Sequence, residues 1–179
     1  AEAALQLLEE NELRVWILHF SMSEENLHTV LRHPAVMIGS DASALIPEGS
    51  LGEGKSHPRS YGTFARVLGR YVRELKVLTL SQAVHKMSGL PARRLGLRDR
   101  GRLAKGLQAD LVLFDPQTVR DRATFADPYQ YPEGIAYVFC NGQMVVSLEG
   151  HTGALPGQVL ERPRRLKTQF PSKRRSGST

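Results

Sequence analysis

The 179-residue sequence has a single cysteine, a single tryptophan and no long apolar run. With Cys140 alone, no internal disulfide can form, which fits a reducing compartment and leads us to expect a cytoplasmic protein. No apolar stretch approaches the roughly 20 residues that a membrane span needs. The opening residues, AEAALQLLEENEL, carry acids where a secretory signal would have a basic start and an apolar core. Residue 1 is Ala rather than Met, so the chain is expected to be processed, engineered or cut from something longer.

Acids are also missing, but only at one end. Residues 162–179, RPRRLKTQFPSKRRSGST, hold seven Lys or Arg and no Asp or Glu. Without those seven, the 24 bases fall to 17 against 18 acids, so the net charge of +6 belongs to the tail. Such a tail is expected to be disordered, and it makes nucleic acid an unlikely partner for the body of the chain.

What is present begins as alternating helix and strand. Residues 2–10 have helical spacing at Ala4, Leu5 and Leu8, and Leu13–Phe20 is rich in strand formers. Ser23 is placed to cap a helix carrying Leu27, Val30 and Leu31, which ends before His33-Pro34. Ala35–Gly39 reads as a second strand. Apolar strands alternating with helices point to parallel strands buried on both faces, an α/β arrangement. A Gly- and Ser-rich loop runs to about residue 60. An amphipathic helix follows, with Phe64, Val67, Leu68, Tyr71, Val72 and Leu75 on one face and Arg66, Arg70 and Arg73 on the solvated side. Ser81 is expected to cap the next helix, and Pro91 starts a short helical turn that Gly96 stops. From Gly101 the pattern changes: a strand over Ala109–Asp115, then Asn141-Gly142 between two apolar runs, a strong hairpin signal.

Several residues are candidates for chemistry. Asp41 ends the uncharged run VMIGS, at the strand end that faces the active site in a parallel α/β barrel. On residue chemistry alone, a functional carboxylate and a loop-closing Asp beside Ser40 and Ser43 are equally open. Arg59, in His57-Pro58-Arg59, has the planar fork that grips a carboxylate through two hydrogen bonds, or it is a surface Arg near a helix start. His19 ends the earlier strand and reads as a rim residue more readily than as a ligand. Cys140 reads as a small buried hydrophobe in a hairpin strand. His28, His33, His85 and His151 show no ligand spacing.

Taken together, VMIGSDA, HPRSYGTFARVLGRYVRE, LSQAVHKMSGLPARRLGLRDRGRLAKGLQADLVLFDP, FADPYQYPEGIAYVFCNGQMV and HTGALPG resemble the C-terminal part of N-acyl-D-amino-acid deacylases (D-aminoacylases). These belong to the metal-dependent amidohydrolase superfamily, and the resemblance covers roughly residues 1–157. It implies the C-terminal segment of a (β/α)8 TIM barrel over 1–100, part of a small β-sandwich over 101–150 and a basic tail over 151–179. It implies zinc as cofactor and a small-molecule N-acyl-D-amino acid as substrate. Asp41 matches the aspartate that helps bind zinc, takes a proton from the attacking water and passes it to the leaving amine. Arg59 matches the arginine that grips the substrate carboxylate. Ala42 stands where the family usually has Gly, which bears on loop shape more than on chemistry.

The family's His-x-His pair, bridging cysteine and two further histidines have no counterpart here. They are expected upstream of Ala1, so the isolated chain is expected to be inactive. Neighbouring amidohydrolases acting on cyclic amides, such as dihydroorotase- or hydantoinase-like enzymes, and a non-catalytic relic are the alternatives.

Overall fold

The computed structural model describes residues 2–15 and 21–161. The described residues fall into two compact units that divide between Pro34 and Ala35.

The first unit holds two helices. Helix α1 spans Glu2–Glu10 and buries none of its residues; Leu5 and Leu7 stay exposed. It ends in a left-handed turn at Glu12 and Leu13, where the Leu13 N–H reaches back to the Leu8 carbonyl at 2.8 Å. That turn occupies the start of the strand expected over 13–20, and residues 16–20 lie outside the described set. Helix α2 spans Glu24–Arg32, and the Ser23 side chain accepts the Asn26 N–H, as its sequence position predicts. Glu24 and Glu25 in its first turn and Arg32 in its last suit the helix dipole.

The second unit departs from expectation at its start. Residues 36–41 form no strand ladder, and their side chains alternate between half-buried and exposed instead of being buried on both faces. A parallel strand takes its partners from distant crossover units, and the described residues supply none.

Helix α3, Arg59–Arg66, runs without a break into a wider π turn over Val67–Glu74, closed by Leu75 N–H to Arg70 C=O at 2.8 Å. Its apolar face packs Ala65, Val67, Leu68 and Tyr71 into a core shared with Val77, Leu78, Ala83, Ala92, Val119 and Ala123. Phe64 and Leu75, expected on the same face, remain exposed. The arginines do more than face solvent. Arg66 Nη1 pairs with Asp121 at 2.9 Å, and Arg73 Nη1 donates to the Val119 carbonyl at 2.6 Å. Gly69 lets the helix backbone approach that same segment, since a Cβ there would stand 2.8 Å from the Val119 carbonyl oxygen.

Helix α4, Leu80–Val84, is capped by Thr79 rather than by Ser81. Thr79 accepts the Gln82 N–H and the Gln82 side chain accepts the Thr79 N–H, a reciprocal pair that Ser81 has no partner to match. It continues through His85–Gly89 into α5, Leu90–Leu95, which carries Pro91 in its first turn and ends at Gly96 as expected.

Beyond α5 lies a four-stranded antiparallel meander in the order β1-β2-β3-β4: Leu111–Phe114, Ile135–Cys140, Gln143–Ser147 and Gly150–His151. The Asn141-Gly142 hairpin is as expected, with both residues at positive φ (49° and 81°), the requirement of the tight turn that matches strand twist. Asp110 ties this turn down by accepting the Asn141 N–H at 2.7 Å while pairing with Arg100, also at 2.7 Å. Before β2, Arg120 and Glu133 exchange backbone hydrogen bonds, and the Glu133 carboxylate also takes the side chains of Arg120 and Arg122. Among the described residues, no helix is long and apolar enough to cross a membrane.

Candidate functional site

Asp41 is reached along the segment that failed to form a strand. Lys86, buried at 4% exposure, takes the place of a neighbouring strand: its ammonium donates to the Val36 carbonyl at 3.0 Å, and its own carbonyl accepts the Ile38 N–H at 3.2 Å. Three residues later Asp41 adopts φ 50°, a left-handed conformation that Asp tolerates better than most residues. Its side chain is 87% exposed, so the buried strand exit expected for this acid is replaced by an open turn.

Arg59 meets it there. Arg59 Nη2 lies 3.0 Å from Asp41 Oδ2, which brings together the two residues that the sequence singled out. Both groups are open to water, so the pair contributes about 0–1 kcal/mol to stability.

Arg59 opens α3 and is itself fixed from behind. The residue before it, Pro58, makes no side-chain cap, and His57 Nδ1 accepts the Arg59 N–H at 3.0 Å instead. The His57 ring stands edge-on to Phe125 with centroids 5.0 Å apart. Burial first, and the Arg59 charge second, hold its pKa below the ordinary value of 6.5.

One turn on, Tyr61 packs edge-on against Tyr129 and Tyr131 at 5.7 and 5.5 Å, and burial raises the pKa of its phenol. The loop before His57 is tied to the same aromatic segment, because Tyr129 OH donates to Gly54 C=O at 2.9 Å and Lys55 Nζ to Ala126 C=O at 3.2 Å. Ser56 Oγ and Tyr61 OH are buried there with no hydrogen-bond partner among the described residues.

The remaining candidates fall elsewhere. His19 lies outside the described residues. Cys140 ends β2 as a free thiol, half-buried where a buried residue is expected. His28 pairs with Glu24 on α2, and His151 Nδ1 accepts the Gly153 N–H. Among the described residues, no three His, Cys, Asp or Glu side chains are grouped to hold a metal ion. Sequence reasoning missed Lys86 and the aromatic contacts of His57 and Tyr61. The concentration of Tyr and Phe in SYGTF and FADPYQY was the available signal.

The Amidohydrolase family model matches residues 12–146. The chain belongs to the amidohydrolase family. This amidohydrolase chain is 45% identical over 145 residues to N-acyl-D-glutamate deacylase of Alcaligenes xylosoxydans xylosoxydans. It is 44% identical over 145 residues to D-aminoacylase of the same organism. Each match covers 81% of this chain, which spans only 28% of the relative's length. A crystal structure of N-acyl-D-glutamate deacylase from Bordetella bronchiseptica, complexed with zinc and a phosphonate inhibitor that mimics the reaction's tetrahedral intermediate, superposes with a TM-score of 0.69. That match is at 45% identity and covers 79% of this chain and 28% of the other.

Proposed function

We propose that these residues are the C-terminal part of an enzyme that hydrolyses the amide bond of N-acyl-D-amino acids, releasing a D-amino acid and a carboxylate. The observation that carries this is the meeting of Asp41 and Arg59 at 3.0 Å, in a chain about 45% identical to deacylases of that class.

Each side chain suits one part of the substrate. The Arg59 guanidinium takes the α-carboxylate through two parallel hydrogen bonds, displacing Asp41. Asp41, so released, accepts a proton from the attacking water as the new C–O bond forms. It returns the proton to the amine nitrogen as the C–N bond breaks. Its exposure leaves the released carboxylate open to the reacting atoms.

The deacylase from Bordetella holds zinc, but the residues described here do not make such a site. Zinc takes about four ligands, and among the described residues no three His, Cys, Asp or Glu side chains are grouped to hold one; the resemblance assigns Asp41 alone to the metal. In this reading the remaining ligands come from the longer enzyme, and the chain alone is inactive. In the same reading, residues 1–100 complete a (β/α)8 barrel, 101–150 form part of the small β domain and 151–179 are a basic tail.

An assay of the longer zinc-loaded enzyme on N-acyl-D-amino acids, their L enantiomers and a panel of cyclic amides tests the proposal. Release of the D-amino acid alone is expected. Turnover confined to cyclic amides, or turnover by the 179 residues alone with zinc supplied, would overturn it.

A further inference from the structure

His57 belongs to no step described above, yet it makes the contact that fixes the start of α3. A helix leaves its first N–H groups without intrahelical partners, and a side-chain acceptor at the N-cap ordinarily satisfies one of them. Here the N-cap is Pro58, which has no such acceptor, and His57 Nδ1 supplies it one residue earlier by binding the Arg59 N–H at 3.0 Å. The loop behind His57 is tied through Gly54 and Lys55 to the Tyr129 and Ala126 segment, whereas the contact with the Arg59 N–H itself comes from His57. The ring is braced by Phe125, 5.0 Å away edge-on. Its lowered pKa favours the neutral ring, and the Arg59 N–H selects the tautomer in which Nδ1 accepts.

A similar contact spanning two residues occurs between His151 and Gly153. The bond is therefore a local turn device, and its consequence depends on which residue it fixes. At His57 that residue is the arginine that meets Asp41.

We propose that His57 is a positioning residue that presents the Arg59 guanidinium to the substrate carboxylate by capping the Arg59 backbone at the start of α3. This rests on the reading of Arg59 given above. Losing the cap leaves the guanidinium present and charged but loosens the backbone that aims it, so the loss falls on binding of the carboxylate more than on the chemical step.

The test uses His57→Ala, His57→Asn and Arg59→Ala in the longer zinc-loaded enzyme. The substrates are N-acetyl-D-glutamate and the same compound with its α-carboxylate replaced by a carboxamide. Asn at position 57 keeps an acceptor for the N–H two residues on. His57→Ala is expected to raise KM for the acid roughly three- to tenfold, the worth of one hydrogen bond, with a smaller rise for the carboxamide. His57→Asn is expected to restore most of the difference. In the 179-residue chain, the Arg59 amide is expected to exchange with solvent roughly three- to tenfold faster in His57→Ala than in the native chain or His57→Asn.

Equal effects of His57→Ala on both substrates, no rescue by Asn, or unchanged Arg59 exchange would overturn the inference while leaving the role of Arg59 intact. If Arg59→Ala itself fails to distinguish acid from carboxamide, the reading of Arg59 falls and this inference with it.

Discussion

The meander β1–β4 and the segment running from Val36 to Asp41 are both apolar in sequence, yet only the meander forms a ladder. Strands β2 and β3 meet across a two-residue turn that Asp110 holds from the strand side, and β1 adds to β2 from across residues 115–134. The segment ending at Asp41 has the composition of a parallel strand, whose neighbours come from elsewhere in the fold. In their place it has the side chain and carbonyl of Lys86. Antiparallel structure closes on itself over short separations, whereas a parallel strand carries its information without its partners. The site's acid sits at the end of the less secured region.

The largest effect is expected where the helical and sheet regions join. In Gly69→Ala the new Cβ would sit 2.8 Å from the Val119 carbonyl oxygen, and such overpacking costs about 1–3 kcal/mol. The loss should appear as a lower urea midpoint for the chain.

A pair of variants sharpens the contrast between the two apolar regions. Asp110→Ala removes the acceptor of the Asn141 N–H and should cost about 1 kcal/mol, with faster amide exchange across β2 and β3. Lys86→Met keeps the buried stem but frees the Val36 carbonyl; it should cost about 0.5–1.5 kcal/mol and speed exchange at Ile38, leaving β2 and β3 unchanged. If both variants loosen the same amides, the two regions are not independent.

The smallest effect concerns acid. The hydrogen bonds of Arg120 first, and Arg122 second, hold the Glu133 carboxyl below its ordinary value of 4.5. A depressed acid means that the unfolded chain binds the proton first as pH falls. The contribution of Glu133 is therefore complete above about pH 4.5 and is lost as pH drops through the folded value. Native and Glu133→Gln chains should differ in stability at pH 6 and converge in strong acid. A difference that persists at low pH would show that the carboxylate's charge is not responsible.

The features legible in the sequence were those written locally. Ser23 three residues before Asn26, Asn141 beside Gly142, and Gly96 after Leu95 each act within one turn of their own position. The cap of α4 was misplaced by two residues because Ser81 alone looks adequate until the Thr79–Gln82 exchange is seen. Arg66 and Arg73 were assigned to solvent because their partners Asp121 and Val119 are 55 and 46 residues away, beyond the reach of any periodic pattern. The same limit hid the contact of His57 with Phe125. Asp41 and Arg59 were picked out through the motifs that contain them, and their contact needed the fold.

The proposed role of Asp41 as the proton carrier is tested most directly by Asp41→Asn in the longer zinc-loaded enzyme, measured as release of D-glutamate from N-acetyl-D-glutamate. Asn preserves shape and removes the basic oxygen, so kcat is expected to fall about 10²- to 10⁴-fold. A fall of less than about tenfold, with the zinc content unchanged, would contradict an acid–base role for this residue.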